Sequence, residues 1–168
     1  MRDRACEHIC CEGYGPGGVA VIVTCERGSS PPQVEQVRAA FRERGGRSGA
    51  KGSVGYLFRP VGLLRYAANA KLAARAEEAG AEDVLPGGAG VVDLLTAPDE
   101  RDVIEETLRR QGHDCVARGF GWRAMQSVAP PPGERPRLEE LVRRLAAIEG
   151  VGHVYTNAQT TDQLLAKV

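Results

Sequence analysis

The chain has 168 residues, which is long enough to bury a hydrophobic core as one domain or as two small ones. Basic and acidic residues each number 22, so the formal net charge is zero, and the hydrophobic content of 42% is that of an ordinary globular protein. No apolar run reaches the roughly 18 residues of a membrane span, and the charged start lacks the apolar stretch of a secretory signal. We therefore expect a cytoplasmic protein without a membrane partner.

Strands and helices alternate along the chain. A β-branched run that ends at Cys25 predicts a buried strand, and Ser30 before Pro31 predicts the start of a helix. Thr96 and Asp99 resemble a capping box for a later helix. The predicted strands are 19–25, 53–58, 62–67, 90–95, 115–122, 125–129 and 151–156, and the apolar helix faces lie within 34–41, 72–79, 103–108 and 138–148. The order repeats the split βαβ pattern, so it predicts an α+β fold, and two ferredoxin-like units in series would satisfy it.

Charge is strongly segregated along the sequence. Residues 27–75 contain ten basic and two acidic side chains, a net charge of +8. Residues 76–114 contain three basic and eleven acidic side chains, a net charge of −8. Such a division concerns partners rather than fold. This segregation favours contact of the basic part with nucleic acid. The acidic part would either shield the module from nucleic acid or bind a basic protein partner.

A glycine-dense segment carries an aromatic residue near the start of the chain. Its flexible positions are Gly13, Gly15, Gly17 and Gly18, and a strand follows them. A dinucleotide or nucleotide phosphate loop follows a strand instead and opens a helix, so the glycines are better explained by a tight turn. Tyr14 either stacks on a nucleic-acid base or packs over the loop, and both interpretations stay open.

A basic cluster begins on the first predicted helix and continues into the loop after it. Its charged members are Arg38, Arg42, Arg44, Arg47 and Lys51, and Gly45 and Gly46 give the loop its backbone freedom. Residues four apart share a helix face, and a mobile basic loop suits the irregular backbone of RNA. The alternative is a solvated helix face. Arg118, Trp122 and Arg123 form a weaker candidate stacking patch, although a lone tryptophan is more often part of a core or a domain interface.

Catalytic and metal-binding patterns are missing from the sequence. The three histidines fall in different segments, and no serine or cysteine has a catalytic partner nearby in the sequence. The five cysteines fit a reduced protein with free thiols, and Cys25 and Cys115 are expected to be buried. Cys6, His8 and Cys10 would share one face of a strand, but no second pair of zinc ligands follows. We expect no enzyme activity, no metal and no cofactor.

Four sequence blocks resemble one family. Glu12 to Ala20 reads Glu-Gly-Tyr-Gly-Pro-Gly-Gly-Val-Ala, and residues 45–58 read Gly-Gly-Arg-Ser-Gly followed by Gly-Ser-Val-Gly-Tyr-Leu-Phe. Residues 79–84 read Ala-Gly-Ala-Glu-Asp-Val, and residues 154–158 read Val-Tyr-Thr-Asn-Ala. These blocks are similar in order and spacing to the YebC/PmpR family, which covers probable bacterial transcriptional regulators and a mitochondrial translational activator of cytochrome oxidase. Arg47 and Ser48 replace the Asn-Leu of the family pattern, which adds charge.

The resemblance implies a particular arrangement of domains. Residues 9–58 and 124–168 would form one discontinuous α+β domain, and residues 60–122 would form an acidic α+β domain inserted into it. Both would be ferredoxin-like. Family members begin with a lysine-rich helical domain, so we expect this chain to be a shortened form that lacks it.

The resemblance also implies a non-enzymatic regulator of gene expression. We expect it to bind nucleic acid and to act in translation or in transcription, with structured RNA on the ribosome favoured and DNA as another target. The alternative is a protein-interaction or small-ligand regulatory module that lost nucleic-acid binding together with the N-terminal domain.

Overall fold

The computed structural model describes residues 8–25 and 30–158, which form eight strands and four α-helices. The strands are β1 (His8–Tyr14), β2 (Ala20–Cys25), β3 (Arg47–Ser48), β4 (Phe58–Ala67), β5 (Asp83–Pro86), β6 (Val91–Thr96), β7 (Ala117–Ala124) and β8 (Val151–Thr156). The helices are α1 (Pro31–Glu43), α2 (Leu72–Ala79), α3 (Arg101–Arg110) and α4 (Arg135–Ala146).

The strands of the described residues form two four-stranded antiparallel sheets. The first has the order β3-β1-β2-β8, and the second has the order β5-β6-β4-β7. In the second sheet the chain order βαββαβ and the strand order are those of a ferredoxin-like unit. The first sheet takes β8 from the far end of the chain, and the whole second sheet lies between β3 and β8 in sequence. The predicted α+β class is confirmed.

Each sheet buries one face under two helices. The first core joins β2 to α1 and α4 through fully buried side chains such as Val23, Phe41 and Leu141. The second core joins β4 to α2 and α3 through Leu64 and Ile104. The helices form there because their apolar residues recur every three or four positions and so face one sheet.

The helix-free faces of the two sheets meet. Ile22 and Tyr155 of the first sheet pack in one cluster with Phe58 of the second, and Trp122 lies against the same cluster. A Cβ atom on Gly121 would lie 2.8 Å from the Tyr155 hydroxyl oxygen, so the glycine permits this close approach of β7. The tryptophan is therefore an interface residue, the more common of the two roles considered for it.

Several predicted elements differ in the structure. Residues 53–58 do not form a strand, because the chain makes a turn and then a short 3₁₀ helix (Gly55–Leu57) before β4 begins. Residues 125–129 contribute only an isolated bridge from Val128 to Ala158. The capping box is also wrong, since α3 begins at Arg101 without a side-chain cap. Strand β5 was not predicted. The limits of independently folding domains at 9–58, 124–168 and 60–122 stay a prediction.

Candidate nucleic-acid interface

The glycine-dense segment is a compact turn between β1 and β2. The Gly15 amide donates to the Val19 carbonyl oxygen at 2.7 Å, and Pro16–Gly18 form one 3₁₀ turn. Gly17 adopts φ +78°, which side chains rarely tolerate. A Cβ atom there would also lie 3.1 Å from the Cδ atom of Pro131. The turn therefore lies against the proline-rich segment that precedes α4, and only Gly17 and Gly18 in it are exposed.

Two other glycines of the predicted loop set allow strands to approach. A Cβ atom on Gly13 would overlap the carbonyl oxygen of Arg47 and lie 2.8 Å from the Cα atom of Ser48. A Cβ atom on Gly46 would lie 2.7 Å from the carbonyl oxygen of Tyr14. These positions bring β3 onto β1, so they shape the candidate site through the backbone.

Tyr14 ends β1 rather than projecting from a loop. It is half-buried and packs against the cluster between the two sheets. Its partner in the β1–β3 register is Arg47. Directly opposite residues in an antiparallel pair share a face of the sheet, so Tyr14 and Arg47 lie on the same face. Tyr14 thus stays partly accessible on the sheet face that also carries this arginine.

A buried carboxylate fixes the loop after β3. Glu12, which is only 4% exposed, accepts hydrogen bonds through Oε1 from the Val54 amide at 2.9 Å and from the Gly55 amide at 3.0 Å. The loop so anchored presents the exposed Lys51 and places Tyr56 with 64% of its surface accessible. Sequence reasoning assigned Tyr56 to a strand and missed it. The glycines around Tyr56 were the sequence signal that indicates a loop instead of a strand.

The arginines of α1 are partly engaged by acids of the same half of the molecule. Arg42 pairs with Glu35 at 3.0 Å, and both side chains are more than 60% exposed. Arg44 pairs with Glu140 of α4. Arg38 is exposed and lies beside the sulfur of Cys11. Exposed ion pairs contribute about 0–1 kcal/mol, so a phosphate group can replace such partners at little cost.

Besides Arg38, three cations near this surface have no acidic partner among the described residues. Arg47, Lys51 and Arg137 form no ion pair with any residue that the structure describes. Arg137 lies on α4 and was missed by the sequence analysis, which looked for basic residues in the charge-rich segment 27–75. It helps to line an open cleft of about 340 Å³, together with Glu43, Arg44, Gly45 and Glu140.

The sequence-based separation of charge does not describe the two structural halves. Residues 58–124, which contain the whole second sheet, carry nine basic and eleven acidic side chains, a net charge of −2. Arg59 pairs with Glu82, and Arg65 pairs with Asp93, so basic residues counted with the first half neutralise acids of the second. Seven of the eleven acids pair with arginines of the same half. Residues 60–122 still carry seven basic and eleven acidic side chains, a net charge of −4, and an acidic domain with those bounds stays a prediction.

The second candidate stacking patch is likewise engaged. Arg118 pairs with Glu105 at 2.7 Å, and Arg123 pairs with Asp83 at 2.8 Å. Trp122 between them is half-buried against the cluster that joins the sheets. Both arginines of this patch are therefore paired with acids of the second half, so little unpaired positive charge remains beside Trp122.

Two other properties bear on the kind of site. Among residues 8–25 and 30–158, no group of three or more histidine, cysteine, aspartate or glutamate side chains has the arrangement needed to hold a metal ion. In the same part of the chain, every helix is too short or too polar to cross a bilayer.

Comparison with known proteins gives one consistent result. Residues 6–158 match the family model described as the TACO1/YebC second and third domain. A probable transcriptional regulatory protein of Methylococcus capsulatus is 35% identical over 165 residues, which are 96% of this chain and 66% of that protein. A second one, from Nitrosomonas europaea, is 36% identical over 155 residues, 90% of this chain and 64% of the relative.

A solved structure agrees with the sequence matches. The crystal structure of a conserved hypothetical protein from Aquifex aeolicus superposes with a TM-score of 0.83 at 30% identity, and the match covers 94% of this chain and 66% of that one. The chain spans 64–66% of the length of these three proteins.

Proposed function

Because the chain belongs to the TACO1/YebC family and matches its second and third domains, we propose that it is a non-enzymatic regulator of gene expression that binds nucleic acid. Its target is structured RNA of the kind found on the ribosome, in preference to duplex DNA, and it acts in the cytoplasm. The relatives named probable transcriptional regulatory proteins support the regulatory role.

One observation carries the proposal. Arg47 and Lys51 are exposed cations without an acidic partner in the described residues, and an exposed aromatic ring, Tyr56, lies on the same anchored loop. Cations that neutralise phosphates and aromatic rings on which bases stack are the two components of single-stranded nucleic-acid binding. Stacking contributes about 1–3 kcal/mol per base.

The preference for RNA follows from the shape of this surface. Proteins that recognise duplex DNA by sequence usually place a helix with free polar side chains in the major groove. Here the exposed arginines of α1 contact a glutamate or a thiol, and two of the three free cations, Arg47 and Lys51, lie on a short edge strand and a turn. Loops of this kind fit splayed RNA bases and bent backbones.

The test compares two charge reversals of equal size. We expect Arg47→Glu/Lys51→Glu to weaken binding of a labelled RNA hairpin strongly and to make the salt dependence of log K shallower by roughly 1.4–1.8, for two lost phosphate contacts. The matched control is Arg109→Glu/Arg110→Glu on α3, where both residues are exposed and pair with Glu106. Anisotropy titrations at two salt concentrations give the slopes, and a DNA duplex of equal length serves as competitor.

Two outcomes would contradict this function. Wild-type binding that does not respond to salt would remove the electrostatic basis, and an equal loss in both double variants would show that only net charge matters. Co-sedimentation of the full chain with ribosomes, with and without the Arg47→Glu/Lys51→Glu substitutions, then separates a ribosomal target from promoter DNA.

The cleft at the end of α1 favours a second candidate function. Arg44, Arg137, Glu43 and Glu140 line about 340 Å³ of open space, which suits a small ligand carrying both charges, or a segment of a partner protein. Arg137→Ala would then abolish ligand or partner binding and leave RNA binding unchanged, which distinguishes this module from the main proposal.

A further inference from the structure

Three cysteines lie together where β1 pairs with β2. The register is regular from Cys11 opposite Val23 toward Tyr14, but it shifts between Ile9 and Cys11, which leaves Cys10 as the extra residue of a β-bulge. Cys10 and Cys11 consequently both pack on the core under α1 and α4, although consecutive strand residues ordinarily face opposite sides. Cys25, opposite His8 on β2, completes the group.

The group is a connected set of sulfur atoms with one cation. Cys10 lies beside both Cys11 and Cys25, and the guanidinium of Arg38 on α1 lies beside Cys11. None of these three cysteines is part of a disulfide. Cys10 is half-buried, whereas Cys11 and Cys25 are 8% and 1% exposed, so Cys10 opens the group toward solvent.

The surroundings of the group favour the reactive thiolate form of one cysteine, Cys11. The hydrogen bond from Cys10 and the neighbouring Arg38 guanidinium lower the pKa of Cys11 to about 7. The contact with Cys11, burial and Cys25 raise the pKa of Cys10. Burial also raises the pKa of Cys115 in the second half, which makes it an internal reference. A thiolate is the nucleophile in cysteine chemistry, and low-pKa thiols beside a second cysteine are typical of redox-sensitive sites.

Metal binding and simple packing account for the group less well. The three sulfurs do not form an arrangement that could hold a metal ion within the described residues. Packing alone explains a single buried cysteine, which behaves as a small apolar side chain. It does not account for a bulge that turns two consecutive thiols to one side, or for an arginine directed at one of them.

We propose that Cys10, Cys11 and Cys25 form a thiol oxidation site for small hydroperoxides. The Cys11 thiolate attacks one peroxide oxygen, the O–O bond breaks, and Cys11 becomes a sulfenic acid while hydroxide or an alkoxide leaves. The Cys10 sulfur then attacks the Cys11 sulfur, the S–O bond breaks, and water leaves with the Cys10 proton. The product is a disulfide that contains Cys10, and thiol–disulfide exchange can pass it to Cys25.

The test uses hydrogen peroxide on the full chain in a Cys6→Ser background. We expect the protein to lose the mass of two hydrogen atoms and two free thiols, and peptide mapping to place the disulfide at Cys10. At pH 7 the reaction should be roughly tenfold faster than oxidation of Cys115, because an ordinary thiol is only a few per cent ionised there. Cys10→Ser should stop at a sulfenic acid on Cys11, which dimedone traps.

A substitution of the neighbouring arginine keeps every thiol, so it tests the site even where a cysteine variant fails to fold. Arg38→Met should slow the reaction several-fold, and Arg42→Met, on an exposed position one turn along α1, should not. The proposal is overturned if Cys115 reacts as fast as Cys11, if peroxide adds oxygen without forming a disulfide at Cys10, or if both methionine variants behave alike.

Discussion

Replacing Glu12 should release the loop that carries the candidate site. Its buried carboxylate accepts from the Val54 and Gly55 amides, which have no other acceptor in the described hydrogen bonds. Each of these donors left without a partner costs about 1–3 kcal/mol, so Glu12→Ala should lower the free energy of unfolding by about 2–6 kcal/mol. Glu12→Gln keeps an acceptor oxygen and should cost only about 1 kcal/mol, for the exchange of a charged acceptor for a neutral one.

Urea unfolding followed by circular dichroism measures these differences, and amide hydrogen exchange at Val54 and Gly55 localises them. The matched control is Glu35→Ala, because Glu35 is an exposed glutamate in a surface ion pair, and we expect a change within about 0.5 kcal/mol. The reasoning fails if Glu12→Ala is as stable as this control, or if the two amides remain as protected as in the wild type.

Three further predictions concern the strands. Gly13→Ala should cost about 1–3 kcal/mol in urea unfolding by forcing β3 away from β1, whereas Gly133→Ala, which meets nothing within 4 Å, should cost almost nothing. Tyr66→Phe should stabilise the protein by about 1 kcal/mol, since its hydroxyl is buried without a partner. Burial raises the pKa of Tyr66, so wild-type stability should fall above about pH 10, where unfolded tyrosine ionises, and the variant should lose less. Asp93→Ala should cost about 3–5 kcal/mol, but Arg65→Met/Asp93→Leu should lie close to wild type by thermal unfolding.

Each of these predictions has a result that contradicts it. Equal stability of the two glycine variants would show that β1 and β3 separate freely. A destabilised Tyr66→Phe variant, or unchanged alkaline sensitivity, would indicate that the hydroxyl has a partner. If Asp93→Ala and the double substitution destabilise equally, the cost comes from packing rather than from an uncompensated guanidinium.

Local sequence signals predicted much of the fold. Ser30 accepts a hydrogen bond from the Gln33 amide and caps α1, as its position before two prolines indicated. Gly80 ends α2 with φ +104°, a conformation that glycine adopts readily. The β-branched run before Cys25 is a fully buried strand. In each case the decisive interaction lies within a few residues of the signal.

The failures came from interactions between distant residues. The alternation of Val54, Tyr56 and Phe58 resembles a strand, but a carboxylate from β1 binds the amides that a strand neighbour would need. The sequence predicted which basic residues cluster at the candidate site, but it did not predict which of the basic residues form ion pairs with acids. Arg59 and Glu82 are 23 residues apart and meet only because β4 lies in the second sheet.

The position of β8 has a consequence for how the protein matures. Strand β2 has β8 as a neighbour, and Ala20 exchanges hydrogen bonds with Asn157, 137 residues later, through the side chain at 2.8 Å and the backbone at 3.2 Å. During synthesis all four strands of the second sheet therefore precede β8, so that sheet has its strands while β2 still has only β1 as a neighbour. Until β8 has been synthesised, β2 keeps an unpaired edge, the kind of surface on which nascent chains aggregate or recruit chaperones.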